Sequence, residues 1–302
     1  MTENAFASAP GPVGTLTAWE RVKLARHAER PHALDYLNEL AVDWVELHGD
    51  RSFGDDRALI GGLASFDGQT VMFLGHQKGN DTKENIVRNF GMARPEGYRK
   101  AERLMRHAEK FGFPVIALID TPGAEPGIGS EERGQATAIA ESLLTMADLG
   151  VPTVAVVIGE GGSGGALAIG VADRILMLEN AIYAVASPEA CAAILWKDAG
   201  RAAEAAETMR ITAADLALFG IVDEVVAELV PAHERPKETI RATGDAIARH
   251  LRDLVREFPQ HDPGAIARLR AARYDRFRRI GAWRETAPGA NGLDDVALMP
   301  PR

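Results

Sequence analysis

The sequence predicts an α/β protein whose sheet is mostly parallel and covered by helices. Between residues 113 and 228, apolar segments of strand length alternate with segments of helical periodicity, and this alternation is typical of parallel sheets. A hairpin is predicted before these segments. The strand-like segments 58–66 and 70–75 flank Asp67-Gly68, which is a favoured turn dipeptide. Glycine-rich loops follow two of the buried strands, so we expect both loops at the same edge of the sheet.

The first part of the chain is predicted to hold helices around the hairpin. Residues 1–15 are rich in Ala, Ser, Gly and Pro and are expected to form a disordered tail. Apolar residues recur at helical spacing over residues 19–48, and Pro31 divides this stretch into two helices. After the hairpin, Pro95 opens a further helix and Gly112 closes it.

The second part contains the strands that the glycine loops follow. A buried strand over residues 113–120 leads through a loop, 121–129, to a helix for which Ser130 is the expected cap. A second buried strand, 151–158, is followed by a glycine run and a short apolar helix. The remaining predicted elements are strands at 174–179, 181–186 and 221–228, and helices that begin at Ser187 and span residues 204–220 and 236–279.

Composition narrows the possible classes of function. The chain carries 34 Lys and Arg against 43 Asp and Glu, a net charge of −9, which disfavours a non-specific grip on nucleic acid. Its single cysteine, Cys191, excludes a disulfide framework and a cysteine-built zinc site. With no secretory signal and no apolar run of about 20 residues, we expect a cytoplasmic protein without a membrane or nucleic-acid partner.

Side-chain motifs for catalysis are scarce. The sequence has no Gly-x-Ser-x-Gly elbow, no His-Glu-x-x-His, no Walker motif and no His/Cys cluster with metal-ligand spacing. His76, beside a glycine-rich turn and Lys78, is the histidine placed best for a direct role. We therefore expect backbone groups to carry the chemistry, with no metal bound by this chain.

The glycine run at residues 159–165 supports two interpretations. Five glycines in seven residues permit unusual dihedral angles and bring backbone N–H groups to a ligand. Gly159-x-Gly161-x-x-Gly164 matches the dinucleotide fingerprint, and Glu179 follows at the distance of a ribose-binding acid. This pattern is that of a nicotinamide-dependent oxidoreductase. Such a fingerprint normally lies in the first β-α unit, however, and here a hairpin and a complete β-α unit precede it.

The second interpretation is an oxyanion-binding pocket between the two glycine loops. Backbone N–H donors fixed at the ends of neighbouring strands stabilise negative charge that develops on a carbonyl or urea oxygen. A site of this kind needs no side-chain triad, which agrees with the scarcity of catalytic motifs.

A series of short motifs gives a specific resemblance. They occur in the order Gly75-His76-Gln77-Lys78-Gly79, Arg88-Asn89-Phe90-Gly91-Met92, Pro95-Glu96-Gly97-Tyr98-Arg99-Lys100, Ile119-Asp120-Thr121-Pro122-Gly123-Ala124, Glu131-Glu132-Arg133-Gly134-Gln135, the glycine run through Gly170, and Ser187-Pro188-Glu189. The chain resembles the α subunits of bacterial acetyl-CoA carboxylase carboxyltransferases over about residues 16–230, and through the helices to Gly281.

The resemblance implies a fold and a domain arrangement. The fold is the crotonase-like ββα spiral with flanking N- and C-terminal helices. It implies a single domain over residues 16–286, with a core at about 50–230 and C-terminal helices at about 236–282. Residues 287–302 have no counterpart in the family and are expected to form a second disordered tail.

The resemblance also implies an activity and its partners. The carboxyl group of carboxybiotin, held by a biotin carboxyl carrier protein, passes to acetyl-CoA and gives malonyl-CoA for fatty-acid synthesis. A β subunit with a four-cysteine zinc ribbon completes the transferase, in an α2β2 arrangement that works with biotin carboxylase. Because this chain has one cysteine, zinc is expected only on the partner, biotin only on the carrier, and activity only in the complex.

Residue by residue, the resemblance places the site on the two glycine loops. The backbone N–H groups of Gly164 and Gly165 receive the negative charge of the biotin ureido oxygen. The remaining expected binding residues on these loops are Thr121, Pro122, Gly123, Ala124, Gly161, Gly162 and Ser163. Glu125 departs from the family, whose members usually carry an aromatic residue there, so the resemblance does not define the shape of the biotin pocket.

Charge adds a further expectation. Residues 76–110 hold nine basic against five acidic residues, a local charge of +4, which suits a solvated helix face or a surface for CoA phosphates or an acidic partner. Lys78, Arg99 and Lys100 lie in the family motifs and are the expected substrate contacts. Residues 251–284 carry +5 and predict a packing or subunit-contact face. A non-catalytic scaffold of the same fold is a further alternative, which the intact glycine pair disfavours.

Overall fold

The computed structural model describes residues 16–259 and 262–281, so both predicted tails lie outside the described residues. The strands are β1 (Trp44–Glu46), β2 (Leu59–Phe66), β3 (Gln69–His76), β4 (Val115–Thr121), β5 (Thr153–Gly162), β6 (Arg174–Leu178), β7 (Ile182–Ala184) and β8 (Glu224–Val226). The helices are α1 (Ala18–Ala25), α2 (Ala33–Leu40), α3 (Thr82–Val87), α4 (Pro95–Phe111), α5 (Ile128–Glu132), α6 (Gln135–Asp148), α7 (Ser163–Leu167), α8 (Pro188–Trp196), α9 (Ala202–Met209), α10 (Ala213–Leu218), α11 (Pro236–Glu257) and α12 (Ala265–Arg278).

The strands form one mixed sheet in the order β1-β2-β3-β4-β5-β6-β8, with β7 paired to the far end of β5. The first three strands are antiparallel, and every pairing from β3 onward is parallel. The predicted hairpin is confirmed: β2 and β3 meet at Asp67 and Gly68, which both have positive φ, as a type I′ turn requires.

The two central strands are buried on both faces. All seven residues of β4 and the first nine of β5 are buried, which explains why their sequences are continuous apolar runs rather than alternating ones. Helices α4 and α6 pack against each other, and α11 packs against α2 and β5. This arrangement makes the carboxyl ends of β4 and β5 the edge at which loops can form a site.

Residues 44–46 of the predicted helical stretch 19–48 form β1, and the predicted helix at 236–279 is two helices, α11 and α12. Two further helix predictions fail at a left-handed residue. Ser130 does not cap a long helix: it lies inside the short helix α5, which follows Gly127, and Gly134 in a left-handed conformation (φ 80°) separates α5 from α6. The predicted helix at residues 204–220 is two helices, because Arg210 is left-handed (φ 53°) and the Thr212 hydroxyl caps α10. In both cases a single left-handed residue ends the helix, and apolar periodicity does not reveal it.

The basic C-terminal segment packs against the core. Arg273 is 2% exposed and its guanidinium bonds both carboxylate oxygens of Asp173, at 2.9 and 2.8 Å. The same side chain donates to the backbone carbonyl of Leu149 at 2.8 Å. Arg270 and Arg276 pair with Glu109 and Asp223. Of the two interpretations of this segment, the structure therefore supports packing.

We expect Arg273→Met to lower the free energy of unfolding by about 3–5 kcal/mol, because it leaves the buried Asp173 carboxylate without its cation. Denaturant unfolding measures this effect. Arg268→Met, on the same helix, removes an exposed pair with Asp262 and should cost at most about 1 kcal/mol. Equal effects of the two substitutions would contradict the anchoring role of Arg273.

Candidate active site

The structure brings the two glycine loops together at the carboxyl ends of β4 and β5. Thr121, the last residue of β4, pairs with Gly161 on β5. A Cβ atom on Gly165 would lie 2.7 Å from the backbone nitrogen of Ala124, and one on Gly162 would collide with the carbonyl of Pro122. The predicted binding residues on the two loops are therefore neighbours in space.

The glycines of the run serve close approach rather than unusual dihedral angles. Gly159, Gly161 and Gly162 lie on β5, which continues four residues beyond its predicted end. The run contains one residue with positive φ, and it is Ser163 (φ 52°) rather than a glycine. A Cβ on Gly159 would meet the Asp120 carboxylate. The expectation of unusual glycine dihedral angles is thus wrong for this run. The glycines allow close packing against neighbouring protein atoms, and their approach to a ligand stays a prediction.

The left-handed Ser163 turns the chain from β5 into α7 and leaves backbone donors at the start of that helix. The first N–H groups of a helix have no intrahelical acceptor, and those of Gly164 and Gly165 belong to this set. Neither N–H is bonded to another backbone carbonyl across the described loops. Two unpaired donors therefore lie beside the loop that carries Pro122, Gly123 and Ala124.

A buried ion network lies next to the loops. The Lys78 ammonium bonds the carboxylates of Asp120 (2.7 Å) and Glu160 (3.1 Å), and Arg26 bonds Glu160 at 2.6 Å. Burial alone would lower the pKa of Lys78, but the two carboxylates raise it above its ordinary value. Burial would raise the pKa of Asp120, but Lys78 and His32 hold it well below its ordinary value. Lys78 and Asp120 therefore remain charged at neutral pH.

A cavity of about 230 Å³ opens beside this network. Pro122 of the first glycine loop and Phe90 form part of its wall, and Lys78 and Glu160 line it with charge. Pro122 and Glu160 thus connect the cavity to the two loops.

The three cations predicted to contact CoA are engaged by acids of this chain. Lys78 belongs to the network above. Arg99 bonds the buried Asp50 carboxylate at 2.8 Å. Lys100 has a side chain 1% exposed and bonds Asp55 at 2.5 Å and the Asp56 carbonyl at 2.7 Å. Each of the three is therefore engaged in an ion pair within the chain, and a contact with CoA stays a prediction.

Two further positions have roles that sequence reasoning missed. The Glu125 carboxylate folds back onto its own loop, where it accepts from the Gly127 N–H at 3.0 Å and from the Ser130 hydroxyl. The side chain at the position of the family's aromatic residue thus closes the loop. His76 is fully buried, and burial lowers its pKa to about 4. It is therefore neutral at pH 7 and does not reach solvent.

The dinucleotide interpretation does not fit the geometry. Gly159 and Gly161 are strand residues, whereas the fingerprint requires them in the turn between strand and helix. The Glu179 carboxylate accepts from the Glu228 N–H at 3.0 Å and lies 3.7 Å from Arg21. Neither the turn nor the acidic residue is placed for a dinucleotide.

Two features are absent from the described residues. None of the helices there combines the length and apolar character that a bilayer span requires. No group of three or more His, Cys, Asp or Glu side chains in that part of the chain is arranged to hold a metal ion.

A mixed sheet covered by helices, with close-packed glycine loops after two adjacent parallel strands, defines the class of this protein as an α/β fold. The sequence comparison specifies the class further. Residues 8–281 match the family model described as acetyl co-enzyme A carboxylase carboxyltransferase-like. The chain belongs to this carboxyltransferase family.

Curated relatives agree with the family match. The chain is 54% identical over 273 residues to the acetyl-coenzyme A carboxylase carboxyl transferase subunit alpha of Synechococcus elongatus, covering 90% of this chain and 81% of that protein. It is 54% identical over 271 residues to the protein of the same name from Geobacter metallireducens, covering 89% of this chain and 83% of that protein.

Solved structures share the fold at low sequence identity. A transcarboxylase 12S structure aligns with a TM-score of 0.62 and 19% identity. The alignment covers 94% of this chain and 50% of the transcarboxylase chain. A chain of a Pseudomonas malonate decarboxylase hetero-tetramer in complex with coenzyme A aligns with a TM-score of 0.60 and 22% identity. The alignment covers 82% of this chain and 98% of the decarboxylase chain. These likenesses confirm the crotonase-like fold.

We expect Gly165→Ala to destabilise the protein by about 1–3 kcal/mol, as overpacking does, because its Cβ would press on Ala124 and on the Tyr98 hydroxyl at 2.8 Å. Gly164→Ala is the matched control, since its Cβ finds only Ile139 at 3.6 Å, and alanine favours the helix by up to about 1 kcal/mol. Thermal unfolding of both variants tests this contrast, and equal losses would contradict the packing of the loops.

Proposed function

We propose that this chain is the carboxyltransferase α subunit of a cytoplasmic acetyl-CoA carboxylase. In this role it acts with a β subunit to transfer the carboxyl group of carboxybiotin, borne by a carrier protein, to acetyl-CoA, forming malonyl-CoA. The observation that carries the proposal is the pair of unpaired N–H donors at Gly164 and Gly165, held against the Thr121–Ala124 loop. The names of the curated relatives support the same assignment.

The residues present fit a ureido group. Its oxygen needs hydrogen-bond donors rather than a metal, and Gly165 lies against the loop residues Gly123 and Ala124, next to Pro122, which lines the 230 Å³ cavity. When bound, carboxybiotin supplies the carboxyl group and an oxygen that gains negative charge as that group leaves. The fixed N–H groups stabilise this charge without reorganising, an effect worth about 10²–10³ in rate for one donor.

The rest of the loops orient the substrate in this proposal. Thr121 closes its own turn, because its hydroxyl donates to the Gly123 carbonyl at 2.7 Å and accepts from the Gly123 N–H at 3.1 Å. Pro122 and Ala124 then form a rigid wall opposite Gly161, Gly162 and Ser163. Lys78, Arg99 and Lys100 are engaged in ion pairs within the chain, and their contact with CoA stays a prediction.

A partner is required by the same proposal. The acetyl-CoA side and the four-cysteine zinc ribbon would come from the β subunit, because Cys191 is the single cysteine of this chain. The relative in the solved malonate decarboxylase is itself part of a hetero-tetramer. An α2β2 assembly that also receives the biotin carboxyl carrier protein and biotin carboxylase is the arrangement we propose.

Reconstitution tests the function directly. The chain mixed with its β subunit, carboxybiotinylated carrier and acetyl-CoA should form malonyl-CoA, detected by mass spectrometry, whereas the chain alone should form none. Calorimetric titration with NAD should show no binding. A purified complex that forms no malonyl-CoA, or a chain that binds NAD, would overturn the proposal.

Removing one donor tests the site. Gly164→Pro deletes an N–H in the first turn of α7, so we expect kcat to fall by about 10²–10³ while the complex still assembles on size-exclusion chromatography. Gly164→Ala keeps the N–H and should exceed the proline variant by at least about tenfold in kcat. A fully active Gly164→Pro complex would remove Gly164 from the site.

A further inference from the structure

The ladder between β4 and β5 is interrupted where the candidate site begins. Ile119 pairs with Val157, and the next pairing joins Thr121 to Gly161. One residue of β4, Asp120, therefore faces the three residues 158–160 of β5. Backbone groups in such a bulge lose their ladder partners, although buried backbone groups need a hydrogen bond.

Side chains replace the missing ladder bonds. The Glu160 N–H donates to the Asp120 carboxylate at 3.0 Å, and the guanidinium of Arg30 donates to the Ile158 carbonyl at 2.7 Å. Gly159 is the residue between them, and a Cβ there would collide with the same carboxylate. Asp120 thus fills the gap in the sheet with its side chain.

The Asp120 carboxylate is itself fixed on two sides. Its Oδ1 accepts from Lys78 at 2.7 Å, and its Oδ2 lies 3.0 Å from Nδ1 of His32. His32 and Arg30, together with Arg26, come from the linker between α1 and α2 (residues 26–32), so three residues of this linker hold the carboxyl ends of β4 and β5. Arg30 is anchored in turn by the buried Glu228, at 2.6 Å.

We propose that Asp120 is a positioning residue that sets the Gly164–Gly165 donors against the Thr121–Ala124 loop, by replacing the ladder bonds between β4 and β5. Asp120 immediately precedes the first loop and binds the backbone four residues before Gly164, so one carboxylate fixes both loops. The α1–α2 linker holds that carboxylate in place. The catalytic consequence rests on the function proposed above, whereas the effect on loop order does not.

The chain offers a matched control for this role. Asp173 is also buried, accepts a backbone N–H of β5 (Thr153, 2.8 Å) and pairs with a cation, Arg273. It lies at the opposite end of β5, away from the glycine loops. Asp173→Ala and Asp120→Ala therefore remove comparable buried carboxylates from one strand, and only the second alters the site.

In the reconstituted complex, we expect Asp120→Ala to lower kcat by about 10²-fold with KM for acetyl-CoA changed by less than about threefold, the pattern of lost transition-state stabilisation. Asp120→Asn keeps an oxygen for the Glu160 N–H, and its amide nitrogen can donate to a neutral His32. We expect it to restore kcat to within about tenfold of wild type. Asp173→Ala should lower the melting temperature but leave kcat unchanged.

A second readout does not depend on activity. Amide hydrogen exchange of the peptide spanning residues 160–167, in the chain alone, should accelerate at least about tenfold in Asp120→Ala and stay at the wild-type rate in Asp173→Ala. Exchange and kcat that change equally in the two alanine variants, or not at all, would overturn the positioning role. An inactive wild-type complex with the expected exchange difference would instead overturn the proposed function alone.

Discussion

The site depends on one constraint, a close contact between two stretches of backbone. One is the glycine run that ends β5 and begins α7, and the other is the Thr121–Ala124 loop at the end of β4. At Gly162 and Gly165 even a methyl group would collide with the facing loop. Because the surfaces that meet are peptide groups, their hydrogen-bonding atoms reach the site without side chains. The same constraint explains why the sequence is rich in glycine there and poor in catalytic motifs.

The fold was largely predictable because its determinants are local. The Asp67-Gly68 turn, the apolar runs of β4 and β5, and the proline and glycine at the ends of α4 each act within a few residues. The errors around Ser130, within residues 204–220 and at the end of β5 arose where one residue takes a left-handed conformation. Ser163, Gly134 and Arg210 do so, and for Ser163 and Arg210 the residue type gives no indication, since surrounding structure imposes the conformation.

The candidate site was predictable only as far as its backbone. The resemblance located both loops, and the structure brings those residues together. Charge was the signal that sequence could not interpret. Lys78, Arg99 and Lys100 are predicted ligands for an anion, and the structure pairs each with a carboxylate distant in sequence, such as Asp120 for Lys78 and Asp50 for Arg99. A local excess of basic residues does not reveal where the chain places its acids, and the −9 total conceals such pairs.

The ion network also explains why the N-terminal helices belong to the site. Arg26, Arg30 and His32 reach Glu160, Ile158 and Asp120 from a linker more than 80 residues earlier in the chain. A backbone oxyanion site works because its dipoles are already oriented before charge develops, and dipoles stay oriented only when the strands that carry them cannot shift. Since β4 and β5 lose their ladder at the point where the loops begin, the linker supplies the rigidity that the sheet lacks there. In the proposed site, the order of the two loops is therefore set from outside the sheet, by side chains of the α1–α2 linker.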